Sequence, residues 1–151
     1  MTNEPDKNRE IPGGSITIEP WEAYLWADAT SSESDVFRSD ETAREYGESG
    51  QLAPPSLGFH VAVEATGGIQ DNLDAVDVDW GAGALLGQQR YEFHQPIRVG
   101  EEYDVSAEMT DIERKSGSSG TFDVATFVYH VQDSDAEPVF EMEVDQVLMK
   151  P

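Results

Sequence analysis

Apolar and polar residues alternate along the second half of the chain, with the period of two that is typical of strands buried on one face. The pattern covers four segments, at residues 91–93, 103–110, 122–131 and 140–148, the third of which is apolar on both faces. Turn-like stretches separate them at 99–101, 116–120 and 133–137. Four consecutive strands with short connections predict an antiparallel meander.

The first half of the chain has helical spacing instead. Apolar residues recur every three or four positions in 20–29, and Pro20 suits the first position of a helix. Ser39 is the predicted N-cap of a short helix that ends at Gly47. Residues 15–18 form a candidate short strand.

The segment 56–65 has few charges and several small residues, and the glycines at 67 and 68 follow it. This pattern predicts a helix buried on most sides. The acidic stretch 71–79 and the glycine-rich stretch 80–87 are expected to form a loop with at most a short strand. One apolar helix followed by long antiparallel strands predicts an α+β fold, in which the sheet wraps around one long central helix.

The chain length of 151 residues is that of one domain. We expect residues 1–14 to form a flexible lead and residues 15–151 to form a single domain. No apolar run approaches the roughly 20 residues that cross a bilayer. Residues 1–10 also lack the apolar core of a signal peptide, so a cytoplasmic location is expected.

Acidic residues dominate the charge: 31 Asp and Glu face nine Lys and Arg, which gives a net charge of −22. Three Trp, five Tyr and six Phe indicate a folded core rather than a disordered polyacid. The acid is spread over the whole chain, which favours a solvated coat suited to high salt, as in a haloarchaeal cytoplasm. An acidic patch for a basic partner is the alternative. The lack of a basic stripe argues against nucleic-acid binding.

Few local motifs indicate chemistry. The chain has no cysteine, which excludes thiolate catalysis and zinc–thiolate sites. His60, His94 and His130 lack metal-ligand spacing along the chain, so no metal site is predicted. The glycines at 81 and 83 do not form a dinucleotide-binding fingerprint, and no nucleophile-elbow motif is present.

Four longer segments together resemble a known family. They are 24–29 with the loop 31–38; 40–47 followed by Leu52-Ala53-Pro54-Pro55-Ser56; 85–100; and 139–150. The third reads LLGQQRYEFHQPIRVG and is similar to the family segment L-H-G-E-Q-x-F-x-Y-H-R-P-x-R-x-G-D. By these segments the chain resembles the MaoC-like acyl dehydratases, in particular the N-terminal half-domain type of fatty-acid-synthase-like dehydratases.

The resemblance implies a hot-dog fold and an acyl thioester ligand carried on coenzyme A or acyl carrier protein, with no other cofactor. It also implies the reversible addition of water to a 2-enoyl thioester, which gives a 3-hydroxyacyl thioester. This reaction needs a base for water, an acid for C2 and a hydrogen-bond donor for the thioester oxygen.

The family supplies the acid and base from a G-D-x-N-P-x-H loop. Aligned with 31–38, the Asp position falls on Ser32, the Asn position on Ser34 and the His position on Phe37. Neither Ser32 nor Phe37 can perform the family's acid–base chemistry, so no catalytic residue is predicted in this loop.

The remaining scaffold implies a binding role for several residues. The candidate substrate-binding residues are Pro55, Ser56, His60, Arg90, His94 and Arg98. The main-chain amides at the start of the 56–65 helix are candidates to meet a carbonyl or phosphate. The alternative for Arg90 and Arg98 is a local salt bridge with Glu92, Glu101 or Glu102.

Three hypotheses follow. The first is a non-catalytic or substrate-binding subunit of a dehydratase/hydratase, paired edge to edge with a MaoC-like chain that retains Asp and His. The second is a self-sufficient homodimeric hydratase or thioesterase that uses displaced groups, with candidates Asp28, Glu33, Asp35, His60 and His94. The third is an acyl-thioester-binding or structural module without turnover.

Overall fold

A five-stranded antiparallel sheet forms the main layer of the protein, in a computed structural model that describes residues 8–81 and 83–150. The strand order is β1-β5-β6-β7-β3. Its strands are β1 (Arg9–Thr17), β3 (Ala84–Phe93), β5 (Glu102–Gly117), β6 (Gly120–Gln132) and β7 (Pro138–Met149). The short strands β2 (Leu52–Ala53) and β4 (Ile97–Arg98) pair separately.

Within the described residues, four α-helices accompany the sheet: α1 (Pro20–Ala29), α2 (Asp40–Glu45), α3 (Gly58–Ala65) and α4 (Ile69–Ala75). The start of α1 matches the prediction, with Pro20 in its first turn. The predicted N-cap of α2 is confirmed, because the Ser39 hydroxyl accepts a hydrogen bond from the Thr42 amide at 3.2 Å. No helix within 8–81 and 83–150 is long and apolar enough to cross a membrane.

The core lies between α3 and the inner face of the sheet. Val61 and Ala62 on α3 are completely buried, and they face strands whose inward residues include Phe127, Phe140 and Met142. The expected α+β fold with a sheet wrapped around a helix is therefore confirmed. The helix is shorter than the predicted segment 56–65, because residues 56 and 57 belong to the 3-10 turn Pro55–Leu57 and α3 begins at Gly58.

The predicted meander is correct for three strands and wrong for the fourth. β5, β6 and β7 follow one another in the sheet, whereas β3 pairs with β7 at the opposite edge from β5. β1 occupies the place beside β5 that the meander would have given to β3. Alternation along a strand reports which side chains face the core, and it does not identify the neighbouring strand.

Two segments expected to be irregular belong to regular elements. The acidic stretch 71–79 was expected to be a loop, but its first part lies in α4, where Asn72 and Leu73 are buried and Asp71 and Asp74 face solvent. Most of α4 is solvated, which explains its polar sequence. β1 begins at Arg9, so the part of the expected lead from residue 9 to residue 14 belongs to the sheet. Residues 1–7 lie outside the described residues.

A nearly buried carboxylate links the ends of three strands. Asp123 on β6 is 4% exposed and accepts hydrogen bonds from Arg114 on β5, at 2.9 Å from Nε and 3.3 Å from Nη2. The ammonium group of Lys150, just after β7, lies 3.2 Å from the same carboxylate. These two cations, Arg114 foremost, hold the pKa of Asp123 below its ordinary value.

We expect the substitution Asp123→Asn to destabilise the protein by about 1–3 kcal/mol at neutral pH. Because the folded state lowers the pKa of Asp123, its stabilising contribution is present above the unfolded pKa of about 4 and is lost as the pH falls further. Denaturant unfolding of both proteins should therefore give curves that converge below about pH 4. A difference in unfolding free energy that does not change with pH would contradict this role.

Candidate functional site

An apolar cleft lies between α1 and the start of α3. α1 packs inward through Ala23 and Ala27, which are completely buried, so its other side chains are left to face the cleft and solvent. The cavity has a volume of about 280 Å³. It is lined by Trp21, Glu22, Leu25, Trp26, Ala29, Leu57 and His60. The size and lining suit an apolar chain better than a polar ligand.

Trp26 and His60 also line a second, more polar cavity of about 450 Å³. This cavity extends along α3 toward the loop at Gly67 and Gly68 and the start of α4. The indole of Trp26 is fixed between the two cavities, because its Nε1 donates a hydrogen bond to the Ser56 hydroxyl at 2.9 Å. An elongated ligand could therefore occupy both cavities and pass Trp26 and His60.

His60 is paired with a carboxylate at the edge of the cleft. Its Nε2 lies 3.5 Å from Oε1 of Glu22, and the two side chains are 36% and 20% exposed. The other carboxylate oxygen of Glu22 accepts a hydrogen bond from the Glu19 amide at 2.7 Å, in the capping box that begins α1. An imidazole beside an oriented carboxylate is able to accept or donate a proton at its free nitrogen.

The loop 31–38, where the sequence resemblance places Ser32 and Phe37 at the acid–base positions, is packed against its surroundings. The amide of Ser32 donates to the Ala27 carbonyl at 2.8 Å, and the Ser32 carbonyl accepts from Arg38 at 2.8 Å. The carbonyl of Phe37 accepts from the Gln51 side chain at 2.9 Å. These contacts explain the shape of the loop without assigning a proton-transfer group to Ser32 or Phe37.

The predicted candidate carboxylates near this loop, Asp28, Glu33 and Asp35, are either paired with an arginine or exposed. Asp28 accepts a hydrogen bond from Arg38 at 2.6 Å, and the Arg38 guanidinium lies 5.2 Å from the centre of the Tyr24 ring. Glu33 and Asp35 are exposed. The carboxylate that the structure brings to His60 is Glu22, which was not among the predicted residues.

The structure brings together three of the six predicted binding residues. Pro55 and Ser56 lie in the 3-10 turn that leads into α3, and His60 lies on α3 itself. The predicted main-chain donors are partly occupied there, because the amides of Leu57 and Gly58 donate to the carbonyls of Pro54 and Pro55.

The other three predicted residues lie elsewhere. Arg90 on β3 forms a salt bridge with Glu143 on β7 at 3.1 Å, and His94 follows the end of β3. Arg98 on β4 lies 3.8 Å from Glu48 and donates to the Ser49 hydroxyl at 3.0 Å. Both arginines thus form local ion pairs, although with different carboxylates from those considered in the sequence.

Glu22 and Trp26 are the site residues that sequence reasoning missed. They are four positions apart in the predicted helix 20–29, and residues at this spacing share one face of a helix. The sequence could therefore have predicted that Glu22 and Trp26 lie side by side on the same face of this helix. Nothing in the sequence indicated that this face would meet His60.

Apolar side chains are also exposed on β3, which lies at one end of the sheet. Leu85 is 59% exposed, Leu86 46% and Phe93 40%. The rings of Tyr91 and Phe93 stack with their centroids 5.6 Å apart. An edge strand with exposed apolar side chains is a typical pairing surface for another chain.

The antiparallel sheet around α3 defines a hot-dog protein with an apolar cleft beside the central helix. The family model for the FAS1-like dehydratase domain region matches residues 8–142. The chain belongs to this FAS1-like dehydratase domain family.

Individual proteins are similar to this chain in sequence or in fold. A UPF0336 protein from Thermobifida fusca is 27% identical over 118 residues, which span 74% of this chain and 76% of that protein. The HadBC (3R-hydroxyacyl-ACP dehydratase) complex of Mycobacterium tuberculosis contains a chain with a TM-score of 0.78 and 19% identity, covering 97% of this chain and 99% of that one. The ChsH1–ChsH2 complex of the same organism gives a TM-score of 0.71 and 22% identity, covering 97% and 89%. At these identities the two structures support the shared fold.

Proposed function

We propose that this chain is the non-catalytic, substrate-binding subunit of a MaoC-like (R)-3-hydroxyacyl-thioester dehydratase or 2-enoyl-thioester hydratase. The observation that carries the proposal is an apolar cleft in a chain of the FAS1-like dehydratase domain family. The proposal also rests on the sequence resemblance, which places Ser32 and Phe37 where the family has its catalytic Asp and His. The acyl chain would lie between α1 and α3. A partner chain of the same family would supply the catalytic Asp and His.

The cleft can be tested with one charge. We expect Leu25→Glu to weaken the binding of a thioether analogue of 2-enoyl-CoA by about tenfold or more, because the carboxylate would face the apolar ligand. Leu25 is 54% exposed, so the variant should fold normally. Titration calorimetry would measure the affinity.

Tyr46→Glu is the matched control for Leu25→Glu, since it adds the same charge at a 67% exposed aromatic residue that does not line the cleft. The control should bind the analogue as the wild type does. Equal affinities for Leu25→Glu and the wild type would remove the cleft as the acyl site.

The partner would pair with β3. This part of the proposal is supported by the exposed Leu85, Leu86 and Phe93 along an edge strand. It also agrees with the names of two structural neighbours, which describe the HadBC and ChsH1–ChsH2 assemblies as complexes. In that arrangement the sheets of the two chains would continue into each other.

We expect Leu85→Glu to disrupt co-purification with a MaoC-like chain that retains the catalytic Asp and His, because it places a charge in the apolar contact. Size-exclusion chromatography with light scattering would measure the assembly. Tyr46→Glu is again the control, because it adds the same charge at an exposed residue that does not belong to β3. Unchanged assembly in Leu85→Glu would exclude this edge.

The charge of −22 supports a setting for this subunit in a cytoplasm of high salt, as in haloarchaea. Counter-ions would screen the repulsion between carboxylates that opposes the compact state. Each assay is therefore designed in molar KCl.

A second candidate function is a self-sufficient hydratase that uses His60 and Glu22. It is favoured by the 3.5 Å contact of these side chains at the edge of the apolar cleft. If this function is correct, the purified chain turns over 2-enoyl-CoA, and both His60→Gln and Glu22→Gln lower kcat by about 100-fold or more. Unchanged kcat in both variants would eliminate it.

A further inference from the structure

A row of titratable side chains crosses the outer face of the sheet. Glu92 on β3 lies opposite Glu141 on β7, and Glu141 lies opposite His130 on β6. His94 follows Glu92 by two residues. One ligand atom from each of Glu92, His94 and Glu141 lies within 4.8 Å of the other two. Three different side chains with metal-binding atoms thus meet at one point.

The negative charges of Glu92 and Glu141 are not balanced by an arginine, in contrast to the charge of Glu143 in the neighbouring row. In the next row Arg90 lies opposite Glu143, and the two form a salt bridge at 3.1 Å. Glu92 and Glu141 instead place two carboxylates directly opposite each other, an unfavourable pair in a sheet. The imidazoles of His94 and His130 adjoin this pair. A bound divalent cation would neutralise both carboxylates.

We propose that Glu92, His94 and Glu141 bind a divalent transition-metal ion such as Zn²⁺. One imidazole nitrogen with two carboxylate oxygens suits Zn²⁺, Co²⁺ or Ni²⁺, whereas Mg²⁺ and Ca²⁺ prefer oxygen ligands alone. Tetrahedral zinc with bonds of about 2.0–2.1 Å needs ligand atoms about 3.3 Å apart. Glu92 and His94 are exposed, so side-chain rotation can bring the ligand atoms to that spacing.

His130 is a positioning residue for this site. Its Nδ1 lies 3.4 Å from Oε1 of Glu141, close enough for an N–H at that nitrogen to donate a hydrogen bond that orients the carboxylate. Partners of this kind align a ligand for its metal and raise affinity without contacting the ion. The ion itself would join β3 to β7 and so tie the edge strand to the sheet.

This inference departs from the absence of a metal site predicted from the sequence. That prediction rested on histidine spacing along the chain, whereas the sheet register brings Glu141 to residues almost 50 positions earlier. All three ligands belong to this chain. The proposal therefore requires neither the proposed function nor any residue of a partner.

The test is a calorimetric titration of ZnCl₂ into the chelator-treated full chain, in molar KCl with excess MgCl₂. The salt and Mg²⁺ suppress diffuse binding to the acidic surface. We expect one Zn²⁺ per chain, and an affinity that falls about tenfold or more in Glu141→Gln and in His94→Gln. His130→Gln should weaken binding by a smaller factor and preserve the one-to-one stoichiometry.

Two controls match the ligand variants. Glu143→Gln removes the same charge from the next row, and His60→Gln removes an imidazole from α3; both should bind Zn²⁺ as the wild type does. Circular dichroism would check that each variant is folded. When Co²⁺ is bound in place of Zn²⁺, the visible absorption spectrum of the bound ion should differ between His94→Gln and the wild type. Equal affinities for Glu141→Gln and Glu143→Gln, or complete displacement of Zn²⁺ by Mg²⁺, would overturn the proposal.

Discussion

Replacing Gly14 by valine should lower the free energy of unfolding by about 3 kcal/mol, because the site has no space for a side chain. A Cβ atom at Gly14 would lie 1.8 Å from the carbonyl oxygen of Ala65, at the end of α3. This oxygen and the carbonyl carbon of Ala65, at 3.0 Å, are main-chain atoms, so β1 and α3 would have to move apart. Since α3 carries His60, the displacement would also distort the cleft.

Chemical denaturation at a fixed KCl concentration would measure this effect. Gly117→Val, at the end of β5, is the control, because its nearest neighbour would be a Phe122 ring atom at the ordinary distance of 3.5 Å. The denaturation midpoint should fall much further for Gly14→Val than for Gly117→Val. Similar midpoints for the two variants would show that β1 and α3 are not in such close contact.

Asn72→Leu should destabilise the protein by about 2–3 kcal/mol, because it removes the centre of a buried polar network. The Asn72 side chain is 2% exposed; it donates to the Thr66 carbonyl at 3.0 Å and accepts a hydrogen bond from the Tyr129 hydroxyl. Leucine has a similar volume, so the loss would come mainly from the unsatisfied groups of Thr66 and Tyr129.

Gln70→Leu provides the matched control for Asn72→Leu, since Gln70 is an exposed amide on the same helix. Its unfolding free energy should stay within about 0.5 kcal/mol of the wild type. Hydrogen exchange should also show faster opening of α4 in Asn72→Leu. Equal stabilities for the two variants would contradict a structural role for the network.

Local patterns in the sequence predicted much of the fold. The period of two in 103–110 and 140–148 reports a face buried against α3, and β5 and β7 contain these segments. The apolar residues of 56–65 identified the central helix for the same reason. Each of these elements is determined by which of its own residues must be buried.

The errors in the fold arose where a tertiary contact decides the structure. Gly13 and Gly14 resembled a linker, yet the lack of a side chain at Gly14 is what allows β1 to pass the end of α3. The acidic segment of α4 resembled a loop because few of its residues are buried. The position of β3 beside β7 depends on partners more than 40 residues apart.

The candidate site was only partly predictable. Ser56 and His60, two of the six candidate binding residues, lie near the start of one helix because they are close in sequence. Glu22 and Trp26 come from α1, and only packing of α1 against α3 brings them to His60 and Ser56.

The central claim is best tested by the loss of 2-enoyl-CoA absorbance, with crotonyl-CoA as substrate in molar KCl. The purified chain alone should give no turnover, and addition of a MaoC-like partner chain that retains the catalytic Asp and His should give hydration at a one-to-one ratio. The same partner without this chain should be less active toward longer acyl groups. Full hydratase activity from the chain alone would contradict the subunit proposal.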